Sequence, residues 1–330
     1  MVLHKPSSVE SSPLALQDRP TPEPAPGELR LRVLCCGLCH TDLHVIEGDL
    51  PAPALPLIPG HQIVGTVEAL GEATTGFALG ERAGIAWLRW TDGTCRYCLR
   101  GQENLCEQAQ FTGYQADGGY ADYAVAPAAF MYNLPSDTPA PEIAPLLCAG
   151  IIGYRALKLS GAAGGDRLGL YGFGGSAHLT LQVARARGCD VLVFTRSPVH
   201  QRLARELGAV WAGSTEDEPP AALDAAISFA PAGSFVPAAL QRLRPGGTLA
   251  LAGITMSDIP PIPYDLLYRE RVVRSVANNT REDGREFLRL AAEIPLKAEI
   301  ETFRLQDANV ALQALKAGRL RAAGVLLVSD

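Results

Sequence analysis

The chain has 330 residues, of which 47% are hydrophobic and 19% are charged, with a formal net charge of −6. This length exceeds one typical hydrophobic core and predicts two domains, while the charge density is too low for a disordered protein. The mildly acidic balance argues against a nucleic-acid or anionic-membrane partner, since either requires a basic face. No apolar run reaches the roughly 20 residues that span a bilayer. The N-terminal residues lack the apolar region of a signal peptide, so we expect a cytoplasmic globular protein.

The first part of the chain, residues 1–150, is predicted to be mostly β-structure. Its short apolar runs are separated by segments rich in proline and glycine, which favour turns over helices. The clearest of these runs are ELRLRVLCC, IVGTVEAL, RAGIAW and GYADYAVAP.

From residue 151 the pattern changes to strands that alternate with helices, which predicts βαβ units and a parallel sheet. The predicted strands are RLGLYGF, CDVLVFT, LDAAISFA, GTLALAG and RVVRSVAN, and the predicted helices are SAHLTLQVARARG, PVHQRLARELGA and FVPAALQRLR. A last helix, DANVALQALKAGRL, and a last strand, AAGVLLV, are expected to return to the first domain. The predicted domains are therefore 1–150 with 292–330, and 151–291.

A glycine-rich turn follows the first of these strands and precedes a helix. Gly172, Gly174, Gly175 and Ala177 fit the pattern G-x-G-x-x-G/A. The first glycine permits a tight turn, the second lets the backbone approach a pyrophosphate, and the small last residue allows close packing of the helix. The helix N-terminus supplies amide donors to the phosphate. This context predicts a dinucleotide site, with a plain turn as the alternative.

The end of the second strand bears on which dinucleotide binds. NAD sites usually place an acid about 20 residues beyond the glycines, to hold the ribose 2′-hydroxyl. Here the strand ends in Thr195, Arg196 and Ser197, and the next acid is Glu206. Hydroxyls and a guanidinium suit a 2′-phosphate, so NADP(H) is preferred over NAD(H). The alternative for Arg196 is a solvated surface side chain.

Six of the eight cysteines lie in two tight clusters, which in a cytosolic chain indicates metal or redox chemistry more often than disulfides. The segment CGLCHTDLH, residues 36–44, groups thiol, imidazole and carboxylate, and PGHQ contributes His61. Cys148 lies just before the nucleotide-binding half. Together they can form a Cys2His zinc site with a fourth position open, although each residue can also be an ordinary core residue.

With these motifs the chain resembles the zinc-dependent medium-chain alcohol dehydrogenases over essentially its whole length. The motifs are CGLCHTDLH, PLIPGH, CRYCLRGQENLC, DGGYADY, PLLCAG and the glycine-rich turn. The resemblance implies an α/β chain with a GroES-like β-rich catalytic domain, a Rossmann domain with a doubly wound parallel sheet, and an active-site cleft between them. It implies that Cys39, His61 and Cys148 bind the catalytic zinc, and that Cys35 and Cys36 are strand residues.

The second cysteine cluster has the spacing Cys95-x2-Cys98-x7-Cys106. The structural zinc lobe of the family has four cysteines in the order C-x2-C-x2-C-x7-C, and Asp92 stands at the first position here. A carboxylate oxygen can bind zinc, so an AspCys3 site is chemically reasonable. We expect a second, structural zinc, with an empty lobe as the alternative.

The resemblance also implies roles for the residues around Cys39. Thr41 hydrogen-bonds the substrate oxygen, and His44 is the outer end of a proton relay, since imidazole titrates near neutral pH. His40 contacts the cofactor pyrophosphate, and Asp42 orients His61. The alternative for Asp42 is a residue that only forms a turn.

The chain departs from the common family pattern at three positions. Gln62 stands where Glu commonly follows the ligand His, so it cannot supply charge to the metal. Ile152 replaces a Thr and makes the nicotinamide surroundings apolar, and Leu50 replaces a bulky aromatic residue. The expected neighbours of Leu50 in the substrate pocket are Trp87, Trp90 and Ile254. These residues predict an apolar pocket, roomier than one specific for ethanol.

The sequence therefore predicts a zinc-dependent alcohol dehydrogenase or aldehyde reductase with two zinc ions per chain and a small-molecule substrate. NAD(H) use, a polyol dehydrogenase and a zinc-free quinone reductase of the same fold are the enzyme alternatives. A non-catalytic binding protein on the same scaffold is the alternative from another class. The family suggests a homodimer or a homotetramer.

Overall fold

The computed structural model describes residues 1–50 and 54–329. The strands in chain order are β1 (Val2–Leu3), β2 (Leu14–Ala15), β3 (Glu28–Leu38), β4 (Gln62–Leu70), β5 (Arg82–Ile85), β6 (Leu88–Trp90), β7 (Gln110–Phe111), β8 (Tyr123–Pro127), β9 (Met131–Asn133), β10 (Arg167–Tyr171), β11 (Asp190–Phe194), β12 (Trp211–Gly213), β13 (Leu223–Ser228), β14 (Leu243–Leu251), β15 (Val272–Ser275), β16 (Ile300–Arg304) and β17 (Ala323–Leu327). The α-helices are α1 (His40–Glu47), α2 (Ala140–Ile143), α3 (Ala149–Ser160), α4 (Gly175–Ala186), α5 (Pro198–Glu206), α6 (Val236–Arg242), α7 (Tyr264–Leu267), α8 (Arg281–Glu293) and α9 (Ala308–Lys316).

The chain forms two compact units. The first unit comprises Met1–Cys148, Asn279–Arg285 and Ala298–Asp330, and the second comprises Ala149–Asn278 and Glu286–Lys297. The boundaries expected from the sequence, 1–150 with 292–330 and 151–291, stay a prediction; residues 51–53 and 330 of that range lie outside the described residues.

The first unit is built around a sheet that, in the described residues, runs in the order β16-β17-β3-β4-β5-β9, with β8 also paired to β3. β3 pairs antiparallel with β17, β4 and β8, which makes it the spine of this sheet. Leu29, Leu31 and Val33 alternate with polar residues and point into the core. Toward its end β3 becomes buried on both faces, from Cys35 to Leu38. The end of β3, immediately before Cys39, is therefore shielded from solvent.

The second unit contains a sheet whose described strands run in the order β12-β11-β10-β13-β14-β15, all paired in parallel. The chain builds outward from β10 through β11 to β12, and then continues on the other side of β10 with β13. The strand order therefore reverses between β10 and β13. In parallel sheets ligands bind beyond the carboxyl ends of the strands at such a reversal. The predicted parallel sheet is confirmed.

Within the described residues, no single helix is long and apolar enough to cross a membrane. One bent pair, Ala140–Leu147 with Ala149–Ser160, meets the length and composition criteria for a span.

The first testable expectation concerns β17, which brings the end of the chain into the core of the first unit. Leu326 is fully buried there. Leu326→Ala is expected to lower the free energy of unfolding by about 2–5 kcal/mol, because it leaves a cavity in a packed core. Leu79 is 64% exposed, so Leu79→Ala serves as the control, with a change below about 0.5 kcal/mol. Urea unfolding followed by tryptophan fluorescence measures both, and equal midpoints would contradict the core position of Leu326.

Candidate metal centres and nucleotide site

Cys39 lies at the junction where β3 ends and α1 begins. Its backbone is extended, and it caps the helix: its Sγ accepts a hydrogen bond from the Thr41 amide, at 3.4 Å. The Asp42 carboxylate accepts a hydrogen bond from the Cys39 amide in return, at 2.9 Å. This capping box fixes the thiol at the positive end of the helix, where a thiolate is favoured.

His61 immediately precedes β4 and is completely buried. Its Nδ1 lies 2.9 Å from Oδ1 of the buried Asp42, so its Nε2 faces the other way, 3.4 Å from the Cys39 Sγ. The Trp87 indole packs edge-on against the imidazole, with 5.0 Å between the ring centroids. The hydrogen bond to Asp42 and the packing of Trp87 therefore fix the orientation of the His61 ring.

Cys148 completes the first cluster. It follows the 3₁₀ turn Ala144–Leu147, and its Sγ lies 3.9 Å from that of Cys39. The ligand atoms of Cys39, His61 and Cys148 all lie within 4.8 Å of one another. Tetrahedral zinc with ordinary bond lengths separates two sulfurs by about 3.8 Å and a sulfur from a nitrogen by about 3.6 Å. The three residues fit a zinc ion that keeps a fourth position open.

The electrostatics of this cluster favour a positive charge at its centre. Burial alone would lower the pKa of His61, but the Asp42 and Cys39 side chains raise it to about 10. A hydrogen bond with Cys148 is the main cause that lowers the pKa of the Cys39 thiol well below its usual value, and His61 adds to it against the effect of burial. The same hydrogen bond, together with burial, raises the pKa of the Cys148 thiol well above its usual value. A divalent cation bound here would hold both thiols as thiolates beside a neutral imidazole.

The second cluster consists of Asp92, Cys95, Cys98 and Cys106, whose ligand atoms also lie within 4.8 Å of one another. The Asp92 Oδ1 accepts hydrogen bonds from the Thr94 and Cys95 amides, both at 2.8 Å. These amides are the main reason that the pKa of Asp92 lies well below its usual range. The Asp92 Oδ2 is 3.3 Å from the Cys106 Sγ. One carboxylate oxygen thus closes the turn while the other faces the thiols, an arrangement that fits an AspCys3 zinc site.

The glycine-rich turn lies between β10 and α4. Gly172 has a φ of +83°, which favours glycine, and its amide donates to the Phe194 carbonyl at 2.9 Å. A Cβ on Gly174 would meet no atom within 4 Å, so the space in front of the turn is open to a ligand. The first helical bond of α4 runs from the His178 amide to the Gly174 carbonyl. The amides before it, including those of Gly175 and Ala177, belong to a helix N-terminus that suits a phosphate.

Thr195, Arg196 and Ser197 follow β11, next to the glycine-rich turn. Thr195 is buried, and its amide donates to the Gly213 carbonyl at 2.7 Å. Arg196 is exposed. The Ser197 hydroxyl accepts a hydrogen bond from the His200 amide, at 3.4 Å, and caps α5. A hydroxyl that accepts in this way retains its own proton for donation to a phosphate.

The other predicted residues are distributed as follows. In α1, His40 is exposed and Thr41 is half-buried, while the His44 Nδ1 lies 2.8 Å from the Asp49 Oδ2. Gln62 is buried, and its Nε2 has no hydrogen-bond partner among the described residues.

Leu50 and Trp87 belong to one apolar cluster, as predicted neighbours. The other members are Val45, Leu57, Phe111 and Tyr114. Phe111 and Tyr114 stack on Trp87 at centroid distances of 4.9 and 5.9 Å. Sequence reasoning missed both, although they lie shortly before the DGGY motif. Trp90 is 38% exposed in β6 and is not a member of the cluster. Ile254 belongs to the second unit and is 48% exposed.

Two family models match the chain. Residues 25–136 match the alcohol dehydrogenase GroES-like domain, and residues 175–293 match the zinc-binding dehydrogenase domain. A probable alcohol dehydrogenase, AdhA of Mycobacterium tuberculosis, is 50% identical over 332 residues, covering 99% of this chain and 96% of the relative.

Solved structures are similar along nearly the whole chain. CAD from Helicobacter pylori complexed with NADP(H) has a TM-score of 0.85 and 26% identity, covering 92% of this chain and 90% of that one. Acetophenone reductase from Geotrichum candidum in complex with NAD has a TM-score of 0.88 and 28% identity, covering 99% and 96%. Both the resemblance read from the motifs and the predicted fold class are confirmed.

The contact between Asp42 and His61 generates a prediction about metal affinity. Asp42→Asn keeps one oxygen that can accept from the imidazole, but it removes the negative charge behind the ring and sets an NH2 group against the Cys39 amide in place of an acceptor. We expect the affinity of the first cluster for zinc to fall by about 10–100-fold, as for other partners of metal-binding histidines. Asp137→Asn makes the same change at an exposed position and serves as the control. Competition with a chromogenic chelator measures both; equal affinities would show that the Asp42 charge does not support the ligand.

Proposed function

The chain belongs to the zinc-dependent medium-chain alcohol dehydrogenases, and on this premise we propose that it transfers hydride between a primary or secondary alcohol and NADP(H). The corresponding aldehyde or ketone is the product of oxidation and the substrate of the reverse reaction. The observation that carries the proposal is the spacing of Cys39, His61 and Cys148, which suits three zinc ligands with one position left for substrate.

We assign Cys39, His61 and Cys148 as the ligands of a catalytic zinc. Two thiolates and one neutral imidazole balance the charge of the ion. Zinc bound there supplies Lewis-acid polarisation of an alcohol or carbonyl oxygen. Asp42 holds His61 in the tautomer with the proton on Nδ1, so that Nε2 can bind. Gln62 is neutral, so the ligand set receives no additional negative charge from that position.

Thr41 and His44 are proposed to handle the proton that the alcohol loses. Both lie on α1, one helical turn apart. We assign the Thr41 hydroxyl as the hydrogen-bond partner of the substrate oxygen and the His44 imidazole as the group that exchanges the proton with solvent. The Asp49 Oδ2 lies 2.8 Å from the His44 Nδ1 and fixes the orientation of the ring.

The cofactor is proposed to bind on the second unit at the strand-order reversal, with its pyrophosphate at the N-terminus of α4. The nicotinamide supplies the hydride chemistry. Gly172, Gly174, Gly175 and Ala177 provide the close backbone approach to the pyrophosphate.

The preference for NADP(H) is proposed from the end of β11. Thr195, Arg196 and Ser197 offer two hydroxyls and an exposed guanidinium where NAD-binding chains commonly place an acid. Because similar folds carry NADP(H) in one solved structure and NAD in another, the fold does not decide the cofactor. The side chains at this strand end therefore carry the proposal, and NAD(H) is the alternative cofactor.

The substrate is proposed to be a small to medium apolar alcohol or aldehyde. Leu50 and Trp87 form part of an apolar cluster beside the His61 ring. Such a wall is mainly aliphatic and aromatic, and the burial of apolar surface favours a hydrocarbon chain or ring over a polyol.

We further propose a homodimer or homotetramer in the cytoplasm. β15 is an edge strand of its sheet in the described residues, with Val272 exposed on it and Tyr264 and Tyr268 exposed before it. An open edge bearing apolar side chains is suited to pairing with a second copy. All eight cysteines are unpaired, which fits a reducing compartment.

The proposed reaction and cofactor are tested together by steady-state kinetics. Reduction of aliphatic and aromatic aldehydes is expected with NADPH, and kcat/KM with NADPH is expected to exceed that with NADH. Arg196→Ala should lower kcat/KM for NADPH by about 10-fold or more, because a charge-assisted contact to the 2′-phosphate is lost. The kcat/KM for NADH should stay unchanged. The exposed Arg202 lies on the same unit, and Arg202→Ala is the control. If kcat/KM of the parent enzyme were more than about tenfold higher with NADH than with NADPH, a difference of about 1.4 kcal/mol, the NADP(H) assignment would be refuted.

A second test concerns the metal in the AspCys3 cluster. We expect two zinc ions per chain by elemental analysis, one in each cluster. Asp92→Ala should leave one, because only three ligands remain and the turn that Oδ1 closes is lost. Asp92→Cys restores a fourth ligand and should keep more metal than Asp92→Ala. One zinc per chain in the parent protein would mean that the second cluster is not a zinc site.

A further inference from the structure

The DGGY motif, residues 117–120, lies directly against the three residues that precede His61. Its backbone pairs with Ile58, Pro59 and Gly60. Four hydrogen bonds join the two segments: Ile58 amide to Asp117 Oδ1 at 2.9 Å, Gly118 amide to Ile58 carbonyl at 2.7 Å, Gly119 amide to Gly60 carbonyl at 2.9 Å, and Tyr120 amide to Pro59 carbonyl at 3.0 Å. We call residues 117–120 the clamp.

The glycines of the clamp are required by how closely it approaches the ligand segment. A Cβ on Gly118 would collide with the Gly60 carbonyl oxygen, and one on Gly119 would collide with the Ile63 side chain. Gly60 itself has a φ of +97°, and the Tyr120 ring occupies the place of its absent Cβ. Each residue from 58 to 60 is therefore bonded or packed against the clamp, and the next residue is His61.

Tyr120 brings the clamp next to Asp42, the carboxylate that bonds the His61 imidazole. Its side chain is completely buried. Burial first, and the Asp42 carboxylate second, raise the pKa of Tyr120 well above its usual value. The phenol therefore stays neutral next to Asp42, the carboxylate that holds His61 Nδ1. It adds bulk behind the Asp42–His61 pair without adding charge.

We propose that the clamp positions His61 as a metal ligand, and that Asp117 is the anchor that fastens the ligand segment to it. The proposal deepens the proposed function and rests on it, because it needs the first cluster to bind metal. Asp117 is a positioning residue that acts through Ile58 and the backbone. It is exposed, so its replacement opens no cavity in the core.

The experiment compares Asp117→Ala with Asp117→Asn in the full-length, zinc-loaded protein. The Asn Oδ1 can still accept from the Ile58 amide, whereas Ala cannot. Alkylation by iodoacetamide, resolved peptide by peptide by mass spectrometry, reports metal protection at Cys39 and Cys148 separately from Cys95, Cys98 and Cys106. Asp166→Ala is the matched control, since the Asp166 Oδ2 accepts a loop amide at 2.8 Å in the second unit.

In Asp117→Ala, Cys39 and Cys148 are expected to be alkylated about tenfold faster than in the parent, as when a supporting partner of a metal ligand is lost. The three cysteines of the other cluster should react at the parent rate. The same variant should lose kcat with little change in the KM for NADPH, because the cofactor site is untouched. Asp117→Asn and Asp166→Ala should match the parent in both readouts.

Either of two results would overturn the clamp while leaving the proposed metal site in place. Parent-like protection of Cys39 and Cys148 in Asp117→Ala would show that the anchor does not act on the ligand. Equal losses in Asp117→Ala and Asp117→Asn would show that the Asp117 charge, and not its acceptor oxygen, matters. If Cys39 and Cys148 of the parent are not protected by added zinc, the proposed metal site itself fails, and the clamp falls with it.

Discussion

The antiparallel pairing of β3 with β4 is the constraint on which the first metal cluster depends. Its register sets Gly37 opposite Gln62, so the chain that leaves β3 at Cys39 lies beside the chain that enters β4 at His61. A slip of one residue would turn every β4 side chain to the other face of the sheet. Gly37 leaves room for the buried Gln62 side chain, because a Cβ there would lie 2.9 Å from the Gln62 Oε1. A thiol and an imidazole that are 22 positions apart thereby come within 3.4 Å.

Because Asp42 and His61 are buried, their charges depend on the hydrogen-bond partners around them. Asp42 and His61 are 2% and 0% exposed, and a charge at that depth is costly unless it is paired and hydrogen-bonded. The Asp42 oxygens have one partner each, the His61 imidazole and the Cys39 amide. The same capping box therefore orients the thiol and holds the carboxylate that orients the imidazole. The geometry of the two ligands is coupled through one helix N-terminus, and a centre so connected resists small displacements of either residue.

The sequence predicts an element correctly where apolar residues recur with a clear period. It does not predict elements that are too short to show such a period. The alternating strands and helices from β10 to β14 are visible because their apolar runs are bounded by glycine and proline. β12 spans only Trp211–Gly213, too few residues for a pattern, and it joins the sheet because β11 offers an unpaired edge. The sequence does not predict α1, because its N-cap is Cys39 and cysteine is not a usual N-cap residue. The start of α8 is marked only by Thr280, whose amide and hydroxyl both donate to the Asp283 carboxylate, a contact that the apolar pattern does not reveal.

The site is less predictable than the fold, because spacing cannot say which thiol faces a distant histidine. Cys36 and Cys39 are equivalent in the sequence, yet only Cys39 stands beyond the strand, while Cys36 is buried inside β3. At Asp92 the residue type differs from the cysteine common in the family, yet the structure shows that the carboxylate fits the position. Its Oδ1 accepts two amides and its Oδ2 faces Cys106. A cysteine has one sulfur for both tasks, so the carboxylate can stabilise the turn and still present a ligand atom to the thiols.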